Sequence, residues 1–282
     1  MNRRKILFLT GTRADFGKIK SLIKVSEESE TLEAYIFVTG MHLYSKYGNT
    51  GDEVEKSGFK NIYYFMNQEP NDSMDKILAN TICGLSNYLH LLKPDMIIVH
   101  GDRVESLAGA IVGALNNTLV AHIEGGEISG TIDESIRHAI SKLTHIHFVA
   151  NKDARNRLIQ MGEDESNIFI VGSPDIDLMI SANLPPLSQV KERYEISFNK
   201  YSIFIYHPVT TNLHALLKNI REALKALIAS GKNYVVIYPN NDTGADIIIE
   251  EYERLRQNKK FRIFPSLRFE YFLTLLRNAE FI

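Results

Sequence analysis

Lys5-Ile-Leu-Phe-Leu-Thr-Gly-Thr-Arg-Ala-Asp-Phe-Gly17 decides the fold. The short apolar run from Ile6 to Thr10 ends in a Gly-Thr-Arg turn, and the residues after that turn open a helix, so the stretch reads as a buried strand leading into a crossover helix. The preceding Met1-Asn2-Arg3-Arg4-Lys5 is basic like the start of a signal peptide, but the apolar run fits a strand better than a secretory core. Outward from this unit, short β-branched and aromatic runs alternate with segments of helical period. That alternation predicts parallel sheets with crossover helices. First-half strands are expected at 5–10, 34–38, 61–65, 96–100, 119–123, 146–150 and 168–171. The segment Asp75–Leu92 places Ile77, Leu78, Ile82, Leu85, Leu89 and Leu92 three and four residues apart, which makes one apolar stripe. Pro94 stops that helix.

Ser181-Ala-Asn-Leu-Pro-Pro186 has linker chemistry, and the strand and helix alternation restarts beyond it. A length of 282 residues exceeds one ordinary core, so two domains are expected, residues 1–180 and 187–282. Second-half strands are expected at 202–206, 234–238 and 261–264, with helices at 213–230, 245–257 and 268–278. Ala279-Glu280-Phe281-Ile282 reads as a strand just beginning. A three-stranded sheet with a severed fourth strand would leave an open edge, so the second domain is read as incomplete.

The composition, 44% apolar and 23% charged, is that of a globular enzyme and not of a disordered or fibrous chain. A net charge of only −2 lacks the basic excess that nucleic acid demands. No apolar stretch approaches the roughly 20 residues of a membrane span. Cys83 is the only cysteine, which excludes an internal disulfide and a Cys-rich zinc site and suits a cytoplasmic location. Its expected role is packing.

Every notable motif follows a strand, where loops and helix N-termini converge in open parallel sheets. Gly11-Thr-Arg-Ala-Asp-Phe-Gly17 could hold a phosphate through its amides and Arg13. It is neither the Gly-x-Gly-x-x-Gly dinucleotide fingerprint nor a Walker A loop, so no NAD or ATP cofactor is expected. His100-Gly-Asp-Arg-Val-Glu105 puts Asp102 and Arg103 at the mouth of the sheet, with Asp102 also fitting a helix N-cap. His122-Ile-Glu-Gly-Gly-Glu127 lets Glu124 point back over the sheet. Asp133, in Thr131-Ile-Asp-Glu-Ser-Ile-Arg-His138, fits an N-cap equally well. Together Asp102, Glu124 and Asp133 suit general acid and base work if mutual repulsion and burial raise one carboxyl pKa. His145 and His147 sit at strand spacing without a third ligand, so hydrogen bonding outweighs zinc. No spacing suits a divalent metal either. In the second half, His207 and Asn240 follow strands and offer groups to a nucleotide.

As a set, these motifs resemble the hydrolysing UDP-N-acetylglucosamine 2-epimerases, especially the bacterial NeuC type of sialic acid capsule synthesis. The likeness covers nearly the whole chain and rests on Gly11 to Lys18, Val38-Thr-Gly-Met-His42, Tyr47-Gly-Asn49, His100 to Arg103, His122 to Glu127, Ser135-Ile-Arg-His138, Ser141-Lys-Leu-Thr-His145, His207-Pro208 and Tyr238-Pro-Asn-Asn-Asp-Thr-Gly244. It implies a GT-B architecture of two Rossmann-like α/β domains with a cleft between them, and a homodimer. It implies Asp102, Glu124 and Asp133 as catalytic carboxylates. His207 would lie near the diphosphate and leaving oxygen. Arg13, Lys18 and Asn240 would be UDP contacts, with Arg103 a further phosphate contact. The implied reaction converts UDP-N-acetylglucosamine and water to N-acetylmannosamine and UDP with no redox cofactor. The family continues past residue 282 with a Gly-Asn-Ser-Ser stretch, a glutamate and a helix returning to the first domain, and this sequence has none of them. The competing readings are an epimerase acting on UDP-2,4-diacetamido-2,4,6-trideoxyglucose, a GT-B glycosyltransferase, and a nucleotide-sugar binding module.

Overall fold

The computed structural model of the chain describes residues 3–45, 48, 50–69, 72–180, 184–210, 212–240 and 242–282. Tyr47 and Asn49 of one motif, Thr211, Asn241, and Ser181 to Asn183 of the expected linker lie outside the described residues. The chain divides into two compact units, Met1–Asp177 and Leu178–Ile282.

In the first unit the strands are β1 (Arg4–Thr10), β2 (Leu32–Val38), β3 (Ile62–Tyr64), β4 (Met96–His100), β5 (Leu119–Ile123), β6 (Ile146–Val149) and β7 (Ile168–Ile170). They form one parallel sheet in the order β3-β2-β1-β4-β5-β6-β7. The order turns back between β1 and β4, so the loops after these two strands open a crevice at the carboxyl edge. The helices are α1 (Arg13–Glu28), α2 (Gly51–Lys56), α3 (Met74–Leu92), α4 (Val104–Leu115), α5 (Ile132–Lys142), α6 (Lys152–Gln160) and α7 (Pro174–Met179).

Both faces of the sheet are covered, which is why its strands are apolar without alternation. Ile6 and Phe8 join Phe16, Ile19 and Ile23 of α1 in one core. Leu7 and Leu9 point the other way and join Ile77, Leu85, Leu89 and Leu92 of α3 together with Val104 and Val112 of α4. Burying each such side chain stabilises the fold by about 1.5–3 kcal/mol. The α3 stripe is therefore seated as its period predicts, and the helix ends at Lys93 in the left-handed region, φ 52°, directly before Pro94. The expectation for Cys83 is corrected: it lies on α3 but is exposed.

The second unit holds β8 (Ser202–Ile205), β9 (Tyr234–Ile237) and β10 (Phe261–Phe264), again parallel, in the order β10-β9-β8. Around them lie α8 (Leu187–Arg193), α9 (Leu216–Ser230), α10 (Ala245–Glu253) and α11 (Phe269–Arg277). The expected 245–257 helix closes early because Leu255 and Arg256 donate three residues back, to Tyr252 and Glu253, tightening the last turn. Ala279 to Ile282 forms no strand, yet Glu280 N–H donates to the Tyr201 carbonyl (2.9 Å) and Ile203 N–H to the Phe281 carbonyl (3.0 Å). These bonds place the segment alongside β8.

Candidate active site

At the crevice, Thr12 caps α1 with a complete capping box: its hydroxyl accepts from Asp15 N–H, and the Asp15 carboxylate accepts from Thr12 N–H. Asp15 also accepts from Gly11 N–H (2.9 Å) and the Thr10 hydroxyl (2.5 Å). The amides of Gly11 and Thr12, expected to face a phosphate, are thus already engaged by a carboxylate. A phosphate at this loop would have to be met by side chains. Behind the loop His42, 1% exposed, bonds Thr10 Oγ1 (2.9 Å) and Thr50 Oγ1 (2.7 Å). Burial drives its pKa down to about 4, so it is a neutral strut that ties the ends of β1 and β2 together. Arg13 pairs with Glu53 of α2 at 2.9 Å.

Beyond β5, Glu124 adopts φ +64°, a conformation that costs a non-glycine residue about 1–2 kcal/mol. The surroundings over-determine it. Its N–H donates to Phe148 O (2.9 Å). Its carboxylate accepts from Lys18 Nζ (3.0 Å), His100 Nε2 (2.9 Å) and Ser173 Oγ (2.6 Å). Burial pushes this carboxyl up, but the hydrogen bond and charge of His100, with Lys18 and Ser173, outweigh it and hold it well below the usual range. Lys18 also meets Asp175 at 3.1 Å. Desolvation pulls Lys18 down, yet Glu124 and Asp175 together raise it. Glu124 therefore stands as an ionised carboxylate beside a cation, not as the raised acid that repulsion would have made.

The other carboxylates sit at the same sheet edge, with separate partners. Asp102, in the loop after β4, is bound by the Arg137 guanidinium. It is not an N-cap; Arg103 holds that position, with its Nε 3.8 Å from buried Glu105. Asp133 lies in the first turn of α5 and accepts from the Thr131 hydroxyl (2.7 Å), while Thr131 is the N-cap. The Asp102 loop is fixed from beneath: buried His122 donates from Nε2 to the Gly101 carbonyl (2.7 Å) and meets Ser141 Oγ through Nδ1 (3.2 Å). Burial lowers its pKa to about 3. Ser141 and Arg137 lie one turn apart on α5, so that helix holds both the loop and its carboxylate. Arg137 Nη1 also donates to the Glu127 carbonyl (3.0 Å), and Arg157 to that of Gly126.

His145 and His147 do not share an environment. His145 precedes β6, is exposed, and accepts from Val120 N–H (3.1 Å). His147, 1% exposed, meets Glu163 at 3.2 Å. Both lie towards the amino end of β6, away from the crevice edge. In the second unit His207 follows β8 and is exposed, and Asn240 follows β9 and donates from its N–H to His207 Nδ1 (3.4 Å).

Residues 24–282 match the UDP-N-acetylglucosamine 2-epimerase family profile. The UDP-N-acetylglucosamine 2-epimerase of Neisseria meningitidis serogroup B is 50% identical over 279 residues, 99% of this chain and 74% of that protein. The chain belongs to the UDP-N-acetylglucosamine 2-epimerase family. A Legionella pneumophila family member named UDP-N,N'-diacetylbacillosamine 2-epimerase (hydrolyzing) is 36% identical over 281 residues, 98% of this chain and 74% of that protein. Among solved structures, the Methanocaldococcus jannaschii UDP-GlcNAc 2-epimerase, in complex with UDP-GlcNAc and UDP, superposes with a TM-score of 0.82 at 24% identity, covering 98% of this chain and 77% of that one. That likeness shows the fold: two Rossmann-like α/β units of the GT-B type.

Within this epimerase-family framework, the sequence motifs locate the three carboxylates but not the groups that hold them. His100 and His122 stand inside those motifs, and their place at the carboxyl ends of β4 and β5 is the signal that could have found them. Arg137 also stands inside one of them, Thr131 to His138, whereas Ser173 and Asp175 carry no such signal, because only the folded sheet brings them to Glu124 and Lys18.

Proposed function

We propose that this family member is a hydrolysing UDP-N-acetylglucosamine 2-epimerase acting in the cytoplasm as a homodimer. Residues 1–180 supply the reacting groups and residues 187–282 the nucleotide-binding ones. The observation that carries the reading is Glu124, an ionised carboxylate fixed beside Lys18 at the carboxyl edge of the sheet. A base removes the poorly acidic C2 proton while the C1–O bond to UDP breaks, giving 2-acetamidoglucal and UDP; water then adds back with C2 inverted to give N-acetylmannosamine. Glu124, Asp102 and Asp133 are the groups that exchange protons in the two steps. Arg13, Lys18, Arg103, His207 and Asn240 take up the charge growing on the departing nucleotide, and His207 stands at the leaving oxygen. No redox cofactor or metal takes part. N-acetylmannosamine formed this way feeds sialic acid synthesis, and an Escherichia coli relative named polysialic acid biosynthesis protein P7, 30% identical, supports that placement.

The hydrolysing outcome draws support from the Legionella relative, whose name includes it. That same relative favours a second reading in which the sugar is diacetylated bacillosamine. The higher identity to a UDP-N-acetylglucosamine enzyme, 50% against 36%, favours the first. Offering each nucleotide sugar in deuterated water separates them. The proposal expects free UDP and N-acetylmannosamine carrying deuterium at C2. Product without label rules out the elimination route, and turnover of the diacetylated sugar alone overturns the substrate assignment.

A further inference from the structure

The segment after β7 reaches the reacting edge, although nothing in its sequence marks it as part of a site. It begins at Gly172, φ +80°, and carries Ser173 and Asp175. Apolar burial does little to place it: Val171 is 57% and Ile176 51% exposed. A cavity of about 290 Å³, walled by Phe8, Ile98, Ile123 and Phe148, lies under Ser173, Pro174 and Asp177. The segment does make two polar contacts with the acid–base cluster. Ser173 Oγ–H donates to Glu124 Oε1 (2.6 Å), and the Asp175 carboxylate holds Lys18 Nζ at 3.1 Å.

We infer that Ser173 and Asp175 are positioning residues for the epimerase reaction, the first orienting the Glu124 carboxylate and the second dividing Lys18 between Glu124 and an incoming diphosphate. This rests on the proposed function. The groups facing Glu124 are the Lys18 ammonium from α1 and the titratable His100 ring from the end of β4, with Asp175 acting through Lys18. Lys18 and His100 both meet Oε2, while Ser173 meets Oε1. Contacts to both oxygens fix the carboxylate plane; with Ser173 absent, Glu124 keeps its Lys18 and His100 contacts but can turn about its last torsion. Asp175 competes with Glu124 for the Lys18 ammonium. A bound diphosphate draws Lys18 from both, leaving Glu124 a stronger base when substrate is present.

The test uses the full chain and the variants Ser173→Ala, Ser173→Thr and Asp175→Asn. For Ser173→Ala, kcat should fall about tenfold or more with little change in KM, the loss expected for one hydrogen bond to a charged group. Ser173→Thr, which keeps the hydroxyl, should restore the rate. The limb of the kcat profile that titrates Glu124 should move to higher pH, because removing a donor to the anion raises its pKa. Asp175→Asn frees Lys18, so UDP should bind about threefold tighter or better. A Ser173→Ala enzyme with wild-type kcat and pH profile, or an Asp175→Asn enzyme that binds UDP more weakly, overturns the assignment. NMR of carboxyl-labelled glutamate in unliganded wild type and Ser173→Ala separates this from failure of the functional reading. The Glu124 signal should titrate at higher pH in the variant whether or not UDP-N-acetylglucosamine is turned over, and coincident titrations sink the Ser173 role.

Discussion

The carboxyl edges of the two sheets are built differently. In the seven-stranded unit the reacting candidates arrive already held, Glu124 by Lys18, His100 and Ser173, and Asp102 by Arg137. In the three-stranded unit the corresponding edge offers His207 exposed to solvent, with the Asn240 N–H as a distant donor at 3.4 Å. A broad sheet covered on both faces can enclose charges and satisfy them, which fixes their geometry before any ligand arrives. On the proposed function the difference is a division of labour, with chemistry where side chains are pre-set and recognition where they face solvent.

Breaking the pre-set side should show the largest effect. Glu124→Gln keeps size and a hydrogen-bonding amide but removes the charge. Turnover should fall by about a thousandfold, within the range for loss of a general base, while UDP binds at least as tightly as to wild type because Lys18 loses one of its two carboxylate partners. Steady-state kinetics with calorimetric titration of UDP checks this. A variant with ordinary turnover would mean that pre-organisation at this edge serves stability and not catalysis.

Acid should attack the same unit. His42 and His122 are buried neutral, with pKa values lowered to about 4 and about 3. In the unfolded chain both charge near pH 6.5, so the unfolded state binds more protons below that value. Their contribution is complete above about pH 6.5 and drains away as pH falls towards those folded values, on the order of 3 kcal/mol for His42 alone. Thermal melts from pH 7 to 4 should fall steeply. His42→Asn, less stable at pH 7, should show a flatter slope, and an unchanged slope would show that His42 does not carry the acid sensitivity.

How much of this is legible from residues alone depends on distance along the chain. Strand ends and their motifs are local, so β4, β5 and β10 run between the expected residues, and the loops carrying Gly11 and Asp102 leave the adjoining strands β1 and β4 at the carboxyl edge. Glu124's partners lie 106, 24 and 49 residues away, and no period or spacing joins them. Three acids without visible counter-ions predict repulsion; Lys18 turning inwards from α1 reverses the sign. Helix starts fail for a smaller reason. Asp102 and Asp133 are good capping residues, but β-region backbone at Arg103 and Thr131 claims those positions.

Two glycines sharpen the contrast in stability. Gly126 has φ +77°, and a Cβ there would lie 2.5 Å from the Ala154 carbonyl oxygen; Gly231 has φ +67°, with only the end of the long Lys260 side chain at 3.6 Å. Alanine at Gly231 faces the left-handed penalty alone, about 1 kcal/mol, whereas alanine at Gly126 must also displace backbone, for about 2–3 kcal/mol in total. Urea melts measure both. Equal losses would remove the claim that the Glu124 turn is the more tightly packed of the two.

His207→Ala should be the mildest change to the fold and the clearest test of the open edge. An exposed imidazole buries little, so the variant should melt within about 0.5 kcal/mol of wild type. If His207 meets the diphosphate, deleting one charge-assisted contact should weaken UDP about tenfold, with turnover reduced further if the same ring protonates or shields the leaving oxygen. Stability and affinity then separate here as they cannot at Asp102, where Arg137 ties one to the other. An alanine variant that binds UDP normally would take His207 out of the recognition surface and leave the open edge to Asn240.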